Sequence, residues 1–338
     1  MEKKNNYVQI KKNFVEKFSK EVIPILKRHE QERLKTKKTS IMATIGIVSF
    51  FLIIGVLIFF SDNKIDINII IAMFVVSAGA RLIIKKHFED KIKEKIMPII
   101  CPCFGDLRWE SGKSLKNLNK LLKNRNFSKE AIEATIENDV RYDKTEYYKT
   151  GITRFYNNIS YDDIFVGSHN NINFILKEVH CTHKTGSGKN SSNKTVFNGI
   201  FITIDFNKKF NSHTVILPDS IFHNSPFVHL KHTVLEDVVF EKNYDVYTND
   251  EVEARYLITT AFMERLNNVK EVFDAKRTRC AFFEDQLIIG LETKKDTFSI
   301  CDLNKPLVDS EQFSKMFKEM LSIYQIIDHF KLTQKIGL

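Results

Sequence analysis

Hydrophobic positions change their spacing twice along the chain. Over residues 6–38, Tyr7, Ile10, Phe14, Phe18, Val22 and Ile25 recur at steps of three and four with Lys and Glu between them. That spacing predicts an amphipathic helix, kinked at Pro24. It fits a helix lying on a membrane leaflet and a helix packed on protein equally well. Residues 41–60 then carry no charged side chain, and residues 67–84 form a second apolar run after a short polar gap. About 20 helical residues rise about 30 Å, the thickness of a hydrocarbon core. The second run is uncharged only over 67–80, so it must reach through Arg81 to Ile84 to span. The pair predicts a transmembrane hairpin. Its small residues Ala72, Ser77, Ala78, Gly79 and Ala80 suit close packing near Gly46 and Gly55.

Beyond residue 85 the helical period persists through Phe88, Ile92 and Ile96, and Pro98 with Pro102 is expected to end it. Short helices are expected around Leu115–Leu122 and over 128–139. From residue 150 the period becomes that of strands. TRFYNNISYDDIFVG, NINFILKEVHCTHKT, TVFNGIFITIDFNKKF and HTVILPD alternate Ile, Val, Phe and Thr with polar residues, separated by Asn, Gly, Ser and Pro. CAFFEDQLIIGLE predicts a hairpin turning at Glu284–Asp285, and DTFSICDL a further strand. Helices are expected over 251–269, where Asp250 and Glu253 have capping-box spacing, and over 310–331. This order implies an α+β fold with an antiparallel sheet. The expected division is a basic arm (1–40), a membrane hairpin (41–84), a helical connector (85–150) and an α+β domain (151–338).

Charge sharpens this picture. The formal net charge is +9. Residues 1–40 contribute +7, residues 61–66 contribute −1 and residues 81–98 contribute +3, whereas residues 99–338 hold 32 basic and 32 acidic side chains. A neutral domain excludes a nucleic-acid partner of the usual basic kind. Basic residues flanking a span stay on the cytoplasmic side, so both termini are expected there, with the flanks facing anionic lipid of the bilayer. Five irregularly spaced cysteines argue against a disulfide framework and for a reducing compartment.

Motifs of chemistry are weak. KTGSGKNSS at 184–192 lacks the Gly and the Ser or Thr that a phosphate-binding loop needs, because the chain has His183 and Asn190. His180, Cys181 and His183 lie together without a convergent set of further ligands, so no metal is assigned. Cys101 and Cys103 offer thiols for acylation beside the membrane. His213, His223, His229 and His232 cluster in one loop and could move protons. No cofactor motif is present. With Glu253, the His213–His232 loop sustains one alternative reading, a membrane-tethered hydrolase.

The densest stretch is LEDVVFEKNYDVYTNDEVEARYLITTAFMERL, 235–266. Glu251 and Arg255 stand four apart, in the favoured order for a helix ion pair. With VFNGIFITIDFNKKF at 196–210, this stretch resembles the bacterial membrane family known as domain of unknown function 3137. The resemblance rests on Leu235-Glu236-Asp237, Phe240-Glu241, Val246-Tyr247, Glu253-Ala254-Arg255-Tyr256 and Met263-Glu264-Arg265. Thr260 departs from it, standing where the family carries proline, and so do Asn243 and Tyr244. It implies two N-terminal spans, a cytoplasmic domain and a multi-pass protein of the bacterial inner membrane. It supplies no catalytic residues. Glu236, Asp237, Phe240, Glu253, Arg255, Tyr256, Glu264 and Arg265 are therefore candidate interaction residues. The expected role is a binding or scaffold module with a protein partner, rather than an enzyme.

Overall fold

The computed structural model describes residues 2–62, 67–112, 146–186, 191–206, 209–219, 225–294, 297–309 and 311–335. Two compact units emerge: Met1–Cys103 with Ser299–Ser314, and Phe104–Phe298 with Lys315–Leu338. The helices expected around Leu115–Leu122 and over 128–139 lie outside the described residues.

The first unit is helical. Helix α1 (Glu2–Lys17) passes through a π-helical turn (Phe18–Val22) into α2 (Ile23–Asp62), and α3 (Ile67–Ile100) follows. Proline has no N–H and its ring crowds the carbonyl four residues back. The disruption expected at Pro24 is taken up by the wider turn just before it, and the chain stays helical. Pro98 likewise sits inside α3. That helix runs on to Ile100 and ends in a 3-10 turn, Cys101–Phe104, later than expected.

Glu32 on α2 pairs with Lys91 on α3, and His29 meets Lys95 at 2.9 Å, so the two helices run antiparallel. Their apolar parts face outward: Met42, Phe50 and Leu57 on α2, and Phe74, Val75 and Ile83 on α3, are all exposed. Both helices are long and apolar enough to cross a membrane. A Cβ placed on Gly46, Gly55 or Gly79 would meet no atom within 4 Å, so the expected close packing does not form at these three glycines, whereas Ser77 is buried.

Polar contacts and apolar burial together hold the stem. Arg33, 5% exposed, binds Glu30 at 2.6 Å and donates to the Leu303 carbonyl, while Glu30 accepts from the Leu307 amide at 3.0 Å. Ser299 donates to the buried Glu89. Ile10, Phe14, Val22 and Leu26 of the arm are buried, and Phe18 packs on Phe313 with ring centroids 4.7 Å apart. The stripe is thus covered by protein within its own unit. Cys101 and Cys103 are buried as well, which removes the expected acylation sites.

The second unit is built on one nine-stranded sheet. Its strands are β1 (Asp106–Ser111), β2 (Asn158–His169), β3 (Ile172–Thr185), β4 (Ser192–Asp205), β5 (Thr214–Pro218), β6 (Lys231–Thr233), β7 (Tyr244–Thr248), β8 (Arg277–Phe283) and β9 (Gln286–Glu292). They lie in the order β1-β2-β3-β4-β9-β8-β5-β7-β6. Every described pairing is antiparallel. The fold is α+β, as the sequence pattern predicts. Asn170 and Asn171, at φ 52° and 65°, form the two-residue turn between β2 and β3, the conformation Asn tolerates best after Gly. Glu284, at φ 55°, turns β8 into β9 at the expected place. The strand expected over DTFSICDL does not form; its described part, from residue 297, is irregular chain.

Helices α4 (Glu146–Lys149), α5 (Val238–Glu241), α6 (Glu251–Leu257), α7 (Thr260–Val272) and α8 (Glu311–Lys335) complete the described elements. The expected single helix over 251–269 is two. Ile258 leaves helical geometry, and Thr259 caps α7 by accepting from the Phe262 amide at 3.2 Å. Thr260 is therefore the first residue of a new helix, where proline is favoured. One sheet face meets α7 and α8: Phe262 packs on Phe282 at 5.4 Å, and Tyr324 stacks on His169 at 4.1 Å. Asp328 accepts from His169 Nε2 at 3.0 Å and from Asn170 at 2.6 Å, tying α8 to the β2–β3 turn.

Two positions carry measurable consequences. Gly199 has φ 150°, and a Cβ there would stand 2.0 Å from the Leu291 carbonyl oxygen of the neighbouring strand. Gly199→Ala must push β4 off β9, so it is expected to destabilise the chain by about 2–4 kcal/mol, read by thermal unfolding in detergent. Glu319 on α8 is fully buried; among the described residues neither carboxylate oxygen has a hydrogen-bond donor, and Lys315 Nζ stands 3.6 Å away. Burial, partly offset by Lys315, pushes its carboxyl up to about 8. The folded state then holds a proton that the unfolded state releases near 4.5. Stability is greatest below that pH and is lost as pH rises through about 8. Glu319→Gln should raise the unfolding midpoint at alkaline pH and flatten this dependence.

Candidate functional site

The face of the sheet opposite α7 and α8 is crossed by residues 146–157. Their inward side chains, Tyr147, Ile152 and Tyr156, are buried in one cluster with Phe197, Phe201, Val215, Tyr247 and Ile288. Tyr147 stacks on Phe201 at 3.7 Å and Phe201 on Phe197 at 4.2 Å, a three-ring pile standing on the sheet. Gly151, at φ 82°, closes the turn after α4, and a Cβ there would press on Pro226 and Phe227 at 3.1–3.2 Å. With that inner side packed, the segment turns Tyr148, Arg154 and Phe155 to solvent. Phe155 lies 5.7 Å from Tyr148 and 5.5 Å from His183; Tyr148 in turn lies 6.2 Å from Phe227. The result is a row of aromatic rings open on one side.

What positions this row leads back to the motif stretch. Glu253 accepts hydrogen bonds from the main-chain amides of Asn211, at 3.0 Å, and Ser212. The His213 amide donates to Asn249 Oδ1 at 2.8 Å, and its Nε2 meets the Thr150 carbonyl at 3.0 Å. Glu253 thus fixes a loop whose histidine holds the segment that displays the rings. This corrects the expected capping box. Asp250 does cap α6, accepting from Val252 and Glu253 amides, but the Glu253 carboxylate reaches the 211–212 loop, and Thr248 serves the Asp250 amide. Burial pulls the His213 pKa below its ordinary value, with the Thr150 carbonyl opposing and His229 adding to the fall.

The other candidate residues do not gather here. Asp237 caps α5, accepting from Val239 and Phe240 amides at 2.9 Å, and Phe240 packs on Tyr244 at 4.7 Å. Glu236 and Glu264 are exposed. Arg255 pairs with Glu251 at 3.9 Å on the outer side of α6, as their spacing implies. The Tyr256 hydroxyl is buried without a hydrogen-bond partner among the described residues. Arg265 donates to the Ala261 carbonyl at 2.7 Å, and burial followed by the Arg265 charge pulls His329 down to about 4.

The loop histidines also divide. His213 and His229 have ring centroids 5.7 Å apart, whereas His232 stands 3.5 Å from Asp245, which also accepts from the Tyr247 hydroxyl at 3.4 Å. His223 lies outside the described residues. His180 bonds Asn198 at 2.9 Å, while burial pushes the neighbouring Cys181 thiol up to about 12. Among the described residues no group of three or more His, Cys, Asp or Glu is placed to hold a metal ion.

Residues 195–332 match the model of a family described as a protein of unknown function, DUF3137. The matched segment is under half of the chain. It contains the supports of the site, Phe197, Phe201, His213, Glu253 and Arg279, while the displayed segment 146–157 precedes it. No curated protein matches the chain. Among solved structures, the mycobacterial trehalose monomycolate transport factor A, TtfA, aligns at 7% identity and a TM-score of 0.31, over 51% of this chain and 72% of that one.

Glu253→Gln would leave one acceptor oxygen where two amides now donate to a carboxylate. It is expected to cost about 1–3 kcal/mol locally. Hydrogen exchange should quicken at Asn211 and Ser212 and across 146–157, with the β2–β3 hairpin unchanged.

Proposed function

We propose that the chain is a membrane-anchored binding module. In this reading α2 and α3 cross a bacterial inner membrane as a multi-pass hairpin with both termini in the cytoplasm, and the stem's basic flanks rest against anionic lipid. The DUF3137-bearing unit presents the Tyr148–Phe155–Phe227 row to a protein partner. The observation that carries the reading is that row. Phe155 is 44% exposed and Tyr148 38% exposed on a segment whose every inward ring is packed. Rigid aromatic side chains with little entropy left to lose are the usual anchors of protein interfaces. The anchoring half is supported by the exposed apolar sides of α2 and α3 and by the excess of basic residues at their inner ends.

A hydrolase finds no support in this geometry. Glu253 is engaged by two amides and His213 by a carbonyl, His232 belongs to a different pairing, and Arg255 faces away with Glu251.

Two measurements test the reading on the full chain in its own membranes. Alkaline carbonate should leave it in the pellet. A photo-crosslinker at Phe155 should give one discrete protein adduct, lost on Tyr148→Ser, whereas the same crosslinker at the exposed Val252 of α6 should give none. Release by carbonate ends the anchoring half, and equal labelling from both positions ends the docking half.

A further inference from the structure

Beside the ring row the same sheet face carries an unbalanced group of charges. Arg279 on β8 lays its guanidinium over Phe197 at 5.8 Å, donates to the Ile152 carbonyl at 3.3 Å and reaches Glu292 Oε2 at 3.3 Å. Arg277, two residues earlier and on the same face, approaches that same oxygen at 3.9 Å. Arg154 follows Ile152 by two residues; it is exposed and has no acidic partner among the described residues. Glu292 alone supports the charge of Arg279, while burial, Arg277 and Arg154 all oppose it. Arg277 and Arg279 share one carboxylate, and Arg154 adds a third positive charge near Arg279.

We infer that Arg154, Arg277 and Arg279 form a site for an oxyanion, the Glu or Asp carboxylate of an extended acidic segment on a protein partner. Guanidinium forks match planar carboxylates, and an added anion relieves the mutual repulsion of three like charges. A protein segment fits better than a membrane surface, because the Arg279 side chain is only 16% exposed. A recessed guanidinium suits a protruding carboxylate better than a flat layer of headgroups. Nucleic acid is disfavoured by the balance of 32 basic and 32 acidic residues over 99–338. Phe155, next to Arg154 in the chain, places the docking row alongside, so acidic side chains flanking an aromatic residue are the expected signature. This inference rests on the docking reading and names the chemistry of its partner.

The test uses the full chain in detergent with a fluorescent peptide of alternating Glu and Tyr, its Gln and Tyr counterpart, inorganic phosphate as competitor, and vesicles of phosphatidylglycerol. The Glu peptide should bind about tenfold more tightly than the Gln peptide. Arg154→Gln, which removes no described internal contact, should erase that difference, and Arg279→Lys should reduce it. Phosphate should compete. Equal binding of the two peptides, or an undiminished preference in Arg154→Gln, overturns the site. So does vesicle binding that depends on Arg154 and exceeds peptide binding, or self-association lost on Arg154→Gln, which would make a second copy the occupant. The Phe155 adduct formed in membranes separates the two levels: an adduct that survives Arg154→Gln keeps the docking row and removes the oxyanion.

Discussion

A carboxylate accepting two consecutive main-chain amides is the constraint on which the displayed face depends. Glu253 does not touch the aromatic row. It fixes Asn211 and Ser212, and the next residue, His213, caps the Thr150 carbonyl at the middle of the crossing segment. Amides satisfied by a carboxylate resist exchange with water more than amides paired to neutral acceptors. A loop that would otherwise move is thereby made part of the scaffold. The three-ring pile of Tyr147, Phe201 and Phe197 supplies the other fixed point. Between them, residues 146–157 have little freedom, and their outward side chains stand ready in one arrangement. Preorganisation of this kind lowers the entropy lost on association.

The stem follows a different logic. The apolar parts of α2 and α3 face outward, so they do little to pair the two helices. Polar contacts between them lie where Glu32, Lys91, His29 and Lys95 interlock, and Leu26, Phe88, Ile92 and Ile96 are buried in the same part of the unit. Arg33 and Glu30 then extend that network to Leu303 and Leu307. The basic excess of residues 1–40 thus has two employments. Part of it faces solvent near the apolar runs, and part, such as Arg33, is buried as structure.

Legibility followed the range of each interaction. The apolar runs, the strands of the sheet from residue 158 on and the Glu284 turn were readable because their causes lie within a few residues. The split at Ile258–Thr259 was nearly readable. A proline expected at position 260 belongs at the first turn of a helix, so Thr260 marked a start and not an interior position. The roles of Glu253 and Arg279 were not, since their partners lie 42 and 127 positions away. Capping-box spacing at Asp250 and Glu253 was real, but the loop at 211–212 competed for the carboxylate and won. The aromatic row had no local signature either: Tyr148, Phe155, His183 and Phe227 become neighbours only once the crossing segment lies on the sheet.

Residues 299–314 belong with the helical stem, although the chain on either side of them belongs to the sheet-bearing unit. The larger body therefore cannot be cut out as one uninterrupted fragment. A soluble truncation beginning near residue 104 would deprive Ser299, Leu303 and Leu307 of Glu89, Arg33 and Glu30, leaving a sixteen-residue strap with its partners gone. Removing the helices strips this strap of its own unit while the chain of the other unit still runs through it.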